Sequence, residues 1–181
     1  MVGFIVGYTL GTYIVDVVLR PELIARRARQ AADIRRKPLL NVGAGTPGSS
    51  VRVAVLGPTA WGDVNTDIAE PRYWQPGDGP EVRHGDVLCL PFGYKQFGAV
   101  VASHVLEHVS NPEKALSELH RVADEVFVLC PRWWAPHTWL HPGHQWYLRR
   151  DGTFERIGPR RTLQGQPLSI GRSPELRGAL K

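Results

Sequence analysis

Cysteine is scarce in this 181-residue chain: only Cys89 and Cys130 occur, each in an apolar run and without metal-ligand spacing. That excludes a disulfide framework and a cysteine-built zinc site, and both thiols are expected to be reduced and buried, as in a cytosolic-type compartment. Acidic residues are also in the minority, 17 against 22 Lys+Arg, for a formal charge of +5. Such an excess suits nucleic acid or an anionic surface only where the cations cluster on a fitting element. The length allows one domain with appendages but not two full α/β domains. Long apolar runs are limited to Val2–Leu19, which lacks a basic leading region and a small-residue cleavage site, so a removable signal peptide is the poorer reading.

Val2–Leu19 carries a single charge, Asp16. As a helix it would extend about 27 Å, just enough to cross a bilayer. Arg20, Arg26, Arg27, Arg29, Arg35, Arg36 and Lys37 follow at once, the positive flank expected on the cytoplasmic side of an anchor. The expectation is a transmembrane or apolar anchor helix over 1–19, with the rest of the chain facing the cytosol. The alternative is an apolar helix packed on the domain or on a partner. Gly3, Gly7 and Gly11 share one helical face and could bring a second helix close, allowing self-association. Residues 20–37 read as a basic linker helix with Leu23, Ile24, Ala28, Ala31 and Ile34 as a narrow apolar stripe, resting on the domain or on lipid headgroups. No aromatic platform interleaves with these arginines, so nucleic acid is not an expected partner.

The centre of the sequence is Leu39-Leu40-Asn41-Val42-Gly43-Ala44-Gly45-Thr46-Pro47-Gly48. A short apolar run breaking into G-x-G-x-x-G delivers a nucleotide-like ligand from a parallel strand to a backbone loop. Ser49–Gly57 is ambiguous between a strand-like alternation and a short irregular helix, the latter favoured because a parallel crossover needs about a dozen residues. A second strand over Gly62–Ile68 carries Asp67 at its tip, placed to accept from ribose hydroxyls. Pro71–Pro80 reads as a loop. Val82–Asp86 suggests a third strand ending in a second acid, and Phe97–Ser103, apolar on both faces, a buried fourth. After His104-Val105-Leu106-Glu107-His108-Val109, Asn111 caps a helix with Pro112 in its first turn and Leu116, Leu119 and Ala123 as its packing stripe. Glu125–Cys130 is the fifth strand. Strand and helix alternate, which implies a doubly wound, mostly parallel sheet with its ligand at the carboxyl edge.

Beyond Pro131 the rhythm stops. Trp133, Trp134, His137, Trp139, His141, His144, Trp146 and Tyr147 form an aromatic, histidine-rich loop, and Tyr147–Phe154 reads as a hairpin around Asp151-Gly152. His137, His141 and His144 invite a metal reading, but Pro142-Gly143 breaks any helix and no acid or cysteine completes a set, so a substrate lid or edge-packing loop is preferred and no metal is expected. Trp133 and Trp134 suit an acceptor-pocket floor, a membrane interface or the core. From Gly158 the chain is Arg/Pro/Gly-rich and expected to be disordered. The domain proper is thus expected over 38–157, with a tail over 158–181.

Residues 38–131 resemble the class I S-adenosylmethionine-dependent methyltransferases, in particular the small-molecule type with an L-E-H motif after the fourth strand. Four positions carry the resemblance. Asn41-Val42-Gly43-Ala44-Gly45 is similar to the loop that holds the methionine part of the cofactor, and Asp67 to the acid that holds its ribose. Gly85-Asp86-Val87, followed by Leu90-Pro91-Phe92, is similar to the segment near the adenine amine. Ser103-His104-Val105-Leu106-Glu107-His108 is similar to the segment that passes under the cofactor and faces the substrate. The resemblance implies a Rossmann-like fold and S-adenosyl-L-methionine as cofactor, with Asn41, Gly43, Ala44, Gly45, Asp67, Asp86, Val87 and Ser103 binding it. His104 and His108 would be candidate bases, with Glu107 orienting one of them; the alternative for Glu107 and His108 is a structural role within the turn.

Departures from the family are Asn41, where members usually have an acid, the short crossover after Gly48, and the absence of a sixth and seventh strand around another helix. The sheet is therefore either trimmed or covered at its edge by the aromatic loop and the N-terminal helix. The Asn/Asp-Pro-Pro-aromatic motif of amino-directed DNA methyltransferases is missing, so DNA base methylation is not expected. The reading is a membrane-tethered methyltransferase acting on a small molecule, lipid-linked intermediate or glycan. The alternative is a catalytically inactive, anchored assembly subunit, and a weaker one is a nicotinamide-dinucleotide domain, which would leave Asp86 and the L-E-H segment unexplained.

Overall fold

The structure, a computed structural model, describes residues 2–45, 61–69 and 82–157. The expectations for Gly48, 49–57, 71–80 and 158–181 lie outside these.

Five short strands make an all-parallel sheet in the order β3-β2-β1-β4-β5. They are β1 (Leu39–Val42), β2 (Val64–Asp67), β3 (Val82–His84), β4 (Phe97–Ser103) and β5 (Ala123–Leu129). β1 and β4 are central and almost wholly buried, in keeping with sequences that are apolar apart from Asn41 in β1 and the terminal Ser103 in β4. The strand order reverses direction between β1 and β4, and the crevice at their carboxyl ends is the place where open α/β sheets bind ligands.

The N-terminal segment is helical throughout: α1 (Val2–Ile14), one π-helical turn (Val15–Leu19) and α2 (Arg20–Arg35). α2 packs on the sheet across β4 and β5. The expected stripe is corrected in part, since Leu23 and Ile34 are 58% and 74% exposed. The buried face is instead Pro21, Ala25, Ala28, Ala31 and Ala32. Small side chains let the helix approach so closely that a Cβ on Gly98 would stand 3.0 Å from the Ala32 Cα.

No helix among the described residues is long and apolar enough to cross a membrane. The single-pass anchor with a cytoplasmic C-terminal domain is therefore corrected, and the physical reason lies in how the charges are used. Asp16 is 1% exposed and paired with Arg20 at 2.8 Å and Arg132 at 3.3 Å. Arg29 pairs with Asp63, Arg35 with Glu125 and Lys37 with Asp124, so much of the basic flank is matched to acids of the sheet layer. Tyr13 packs edge-on against His137, and α1 lies against the short helix α4 (Pro136–Leu140).

Helix α3 (Pro112–Val122) starts as its punctuation predicts: the Asn111 side chain accepts from the Lys114 N–H at 2.9 Å. Its Ala115, Leu116, Leu119 and Val122 enter the main core with Phe97, Val100 and Val126. At its end Arg121 donates to the Phe92 and Leu90 carbonyls and pairs with Glu118, which accepts from the Leu90 N–H. That clamp holds the loop after β3. Cys130 is buried, but Cys89, in the turn that begins at Asp86, is exposed, against expectation.

The expected hairpin is present as β6 (Trp146–Leu148) antiparallel to β7 (Phe154–Arg156). It forms a separate two-stranded sheet rather than extending the five-stranded one. Its work is elsewhere: the Gln145 and Trp146 N–H groups donate to the Glu107 carbonyl, and Trp146 Nε1 donates to the Val109 carbonyl. The hairpin thereby fixes the segment around His108.

Candidate active site

The carboxyl ends of β1 to β4 open on one cavity of about 700 Å³, in the size range of small-molecule sites. Gly43, Ala44 and Gly45 form one wall, Asp67 and Ile68 the next, and Gly85, Asp86, Val87 and Leu88 a third. Ser103, His104, Val105 and His108 lie along the floor, while Tyr13, Val17 and Pro21 reach in from the N-terminal helices. The three strand tips converge as the sequence suggests.

The glycines are needed by geometry. Gly43 and Gly45 have φ of +74° and +77°, where a side chain is strained, and a Cβ on Gly43 would collide with Val105. The Gly43 and Ala44 N–H groups donate to the Thr66 carbonyl, and the Gly45 N–H donates to Asp67 Oδ2 at 2.8 Å. Asp67 Oδ1 accepts from the Ala69 N–H. Each carboxylate oxygen keeps a further lone pair for a ligand hydroxyl. Asp86 Oδ1 accepts from the Leu88 N–H and fixes the turn after β3. Asn41 does not line the cavity; it is buried between β1 and β2, where its Nδ2 donates to Asn65 Oδ1.

His104 follows β4 in a left-handed conformation, φ +57°, of the kind that clusters at functional sites. Its Nδ1 lies 3.1 Å from Glu107 Oε1 and its Nε2 lies 2.9 Å from the Asp16 carbonyl. The carbonyl accepts, and Glu107 accepts when ionised, an arrangement that favours the doubly protonated imidazolium. Burial opposes that charge, but the Glu107 bond and charge and the Asp16 carbonyl outweigh it and raise the His104 pKa. Glu107 is buried; burial would raise its pKa, yet the bond to His104 and the charges of His104 and His108 hold it below the usual value. Burial, and then the Glu107 charge, push the Cys130 thiol well up, keeping it protonated. In its imidazolium form His104 has no lone pair to take a proton.

His108 differs. Its Nδ1 donates to the Gly143 carbonyl at 2.9 Å, so in the neutral ring the lone pair is on Nε2. His141 and His144 stand beside it, with ring centroids 5.3 and 4.8 Å from its own. His137 lines the cavity nearer Asp16, its Nε2 3.8 Å from Asp16 Oδ2; burial lowers its pKa, with the His104 charge adding to that and Asp16 opposing. His137, His141 and His144, read from the sequence as a substrate-lid or edge-packing loop, line this cavity; the place of Tyr13 in it, and of the buried Asp16 beside His137, was not foreseen. Asp16 carries the one available signal, a lone charge in an apolar run. Trp133 and Trp134 are exposed and do not line the cavity, so neither is a pocket floor or a core residue.

Fold and cavity together define an open parallel α/β sheet with a glycine loop and two strand-tip acids on one cavity. Residues 40–125 match the family model described as a methyltransferase domain, a segment running from β1 into β5. The matched segment is a little under half of the chain. Among solved structures the chain is similar to a SAM-dependent methyltransferase from Thermotoga maritima, described as a possible histamine N-methyltransferase. Identity there is 21%, over 65% of this chain and 58% of that one, with a TM-score of 0.36. No curated protein matches.

Proposed function

We propose that the chain is an S-adenosyl-L-methionine-dependent methyltransferase acting on a small-molecule acceptor. The observation that carries this reading is the convergence of Gly43–Gly45, Asp67 and Asp86 on one cavity. The residues fit the cofactor by size and by chemistry: Gly43 and Gly45 allow the positive φ with which the loop lines the cavity, and the strand tips supply acceptors for hydroxyl and amine groups. The cofactor supplies an activated methyl group on a sulfonium, which an acceptor takes by in-line displacement.

The protein's part is alignment and exclusion of water. Gly43, Ala44, Gly45 and Ser103 would hold the methionine part, Asp67 the ribose and Asp86-Val87 the adenine. Val105, Val109, Tyr13 and Val17 give the far end an apolar lining, and the acceptor would enter there, against His108. Where the acceptor must lose a proton, His108 Nε2 is the available base. His104 and Glu107 act as a positioning pair that fixes the turn on which His108 stands.

Calorimetric titration of the folded chain with S-adenosylmethionine tests the reading. Binding in the micromolar range, weakened about 10- to 100-fold in Asp67→Ala as expected for lost hydrogen bonds to a charged group, supports it. No detectable heat from a folded protein would sink it.

A further inference from the structure

Two histidines that the methyl-transfer reading leaves idle, His141 and His144, meet His108 on the cavity wall. His108, His141 and His144 each offer one ring nitrogen, and these atoms all lie within 4.8 Å of one another. All three line the cavity. His141 and His144 stack at 4.5 Å between centroids with an interplanar angle of 24°.

Two of the three rings have one nitrogen anchored on a main-chain carbonyl. His108 Nδ1 donates to the Gly143 carbonyl and His144 Nδ1 to the Thr138 carbonyl, each at 2.9 Å. A carbonyl can only accept, so in their neutral form both rings carry the proton on Nδ1 and the lone pair on Nε2. Anchoring one ring nitrogen on a carbonyl is what fixes tautomer and orientation in metal-binding histidines. His141 Nδ1 accepts from the Gly143 N–H at 3.1 Å, a bond it would exchange on ligation. His141 is exposed and sits at the start of the Pro142-Gly143 turn.

We propose that His108, His141 and His144 form a binding site for a divalent transition metal of the zinc class, with a fourth position open to the cavity. Imidazole ligands favour zinc, copper, nickel or iron, whereas magnesium and calcium take oxygen ligands. Bonds of about 2.0–2.1 Å in tetrahedral geometry place ligand nitrogens roughly 3.3 Å apart, so the rings must draw in by about 1.5 Å at most. Three protein ligands and an open position are the arrangement of catalytic rather than structural zinc. The open position takes water or a hydroxyl, thiol or amine of the acceptor, which the ion makes more acidic and holds in place. Sequence spacing hides this site, because its third ligand, His108, lies more than thirty residues before the other two.

The test reads metal rather than methylation, so it stands or fails separately from the cofactor titration. The untagged full chain is stripped with chelator and dialysed against Zn²⁺ or Co²⁺. One ion per chain by metal analysis, a visible Co²⁺ absorption of the tetrahedral type, and a Zn²⁺-dependent rise in melting temperature are expected. His141→Ala and His144→Ala should each weaken Zn²⁺ binding by at least about tenfold, since even loss of a ligand's hydrogen-bond partner costs about 10- to 100-fold. His84→Ala, at an exposed site on β3, should leave it unchanged. If a variant fails to fold, the Co²⁺ spectrum of the wild type decides. Absence of that spectrum, or uptake undiminished by the His141/His144 double substitution, overturns the proposal.

Discussion

His104 Nε2 lies 2.9 Å from the main-chain carbonyl of Asp16, a residue eighty-eight positions earlier in the chain. The contact joins the N-terminal helices to the cavity floor, and the Asp16 side chain reinforces it through Arg20 and Arg132. Asp16→Asn should therefore destabilise the chain by about 2 kcal/mol, less than the ~3–5 of a fully buried pair because both arginines are partly exposed. Denaturant unfolding measures the loss. Hydrogen exchange should speed up at Val15–Leu19 while β4 keeps its protection.

The His104–Glu107 pair makes a pH prediction. His104 has a folded pKa above its ordinary 6.5, so its contribution is full below that value and is lost as pH rises through the raised one. Glu107 has a folded pKa below 4.5, so its contribution is present above that value and is lost as pH falls through the lowered one. The stability gap between wild type and Glu107→Gln should be widest from pH 4.5 to 6.5, at about 3 kcal/mol for a buried pair broken on one side. It should narrow on both flanks. A gap that stays constant from neutral pH to pH 9 would show that His104 is not charged in the native protein.

Much of this architecture is legible in the sequence because parallel strands and glycine loops leave local marks. Leu39–Val42 and Phe97–Ser103 are apolar on both faces, and Gly43 and Gly45 stand where φ is positive. Asn111-Pro112 announces α3 through cap chemistry alone. What misled was Val2–Leu19, whose hydropathy has two solutions, lipid or protein, and only the tertiary partners of Asp16 choose between them. The basic residues after it looked like a membrane flank because their acids, Asp63 just before β2 and Asp124 and Glu125 in β5, lie far along the chain. The histidine cluster was hidden for the same reason: His108 meets His141 and His144 only after the hairpin folds back on Glu107.

Gly43→Ala should remove cofactor binding and lower stability, because the new methyl meets Val105 and the backbone sits at φ +74°. Adding Val105→Ala in the same chain should return part of the loss. The left-handed conformation would still cost about 1–2 kcal/mol. Melting temperatures of the two single variants and the double variant give the coupling directly, and additive losses would mean that the collision is relieved by backbone movement instead.

The alanine seam of α2 predicts an asymmetry between two positions on one helix. Ala32 is fully buried with its Cα 3.0 Å from where a Gly98 Cβ would stand, whereas Leu23 is mostly exposed. Ala32→Leu must force α2 away from β4 and should cost about 1–3 kcal/mol or more, since close-packed interiors do not absorb added methylenes. Leu23→Ser should change stability by no more than about 0.5 kcal/mol, as surface substitutions usually do. Because α2 is continuous through the π-helical turn with the Asp16 contact, Ala32→Leu should also weaken cofactor binding at a distance, through displacement of Tyr13 and Val17 from the cavity wall. Equal stability losses at the two positions would mean that α2 rests on the sheet only loosely, and the link from helix packing to cavity shape would then fail.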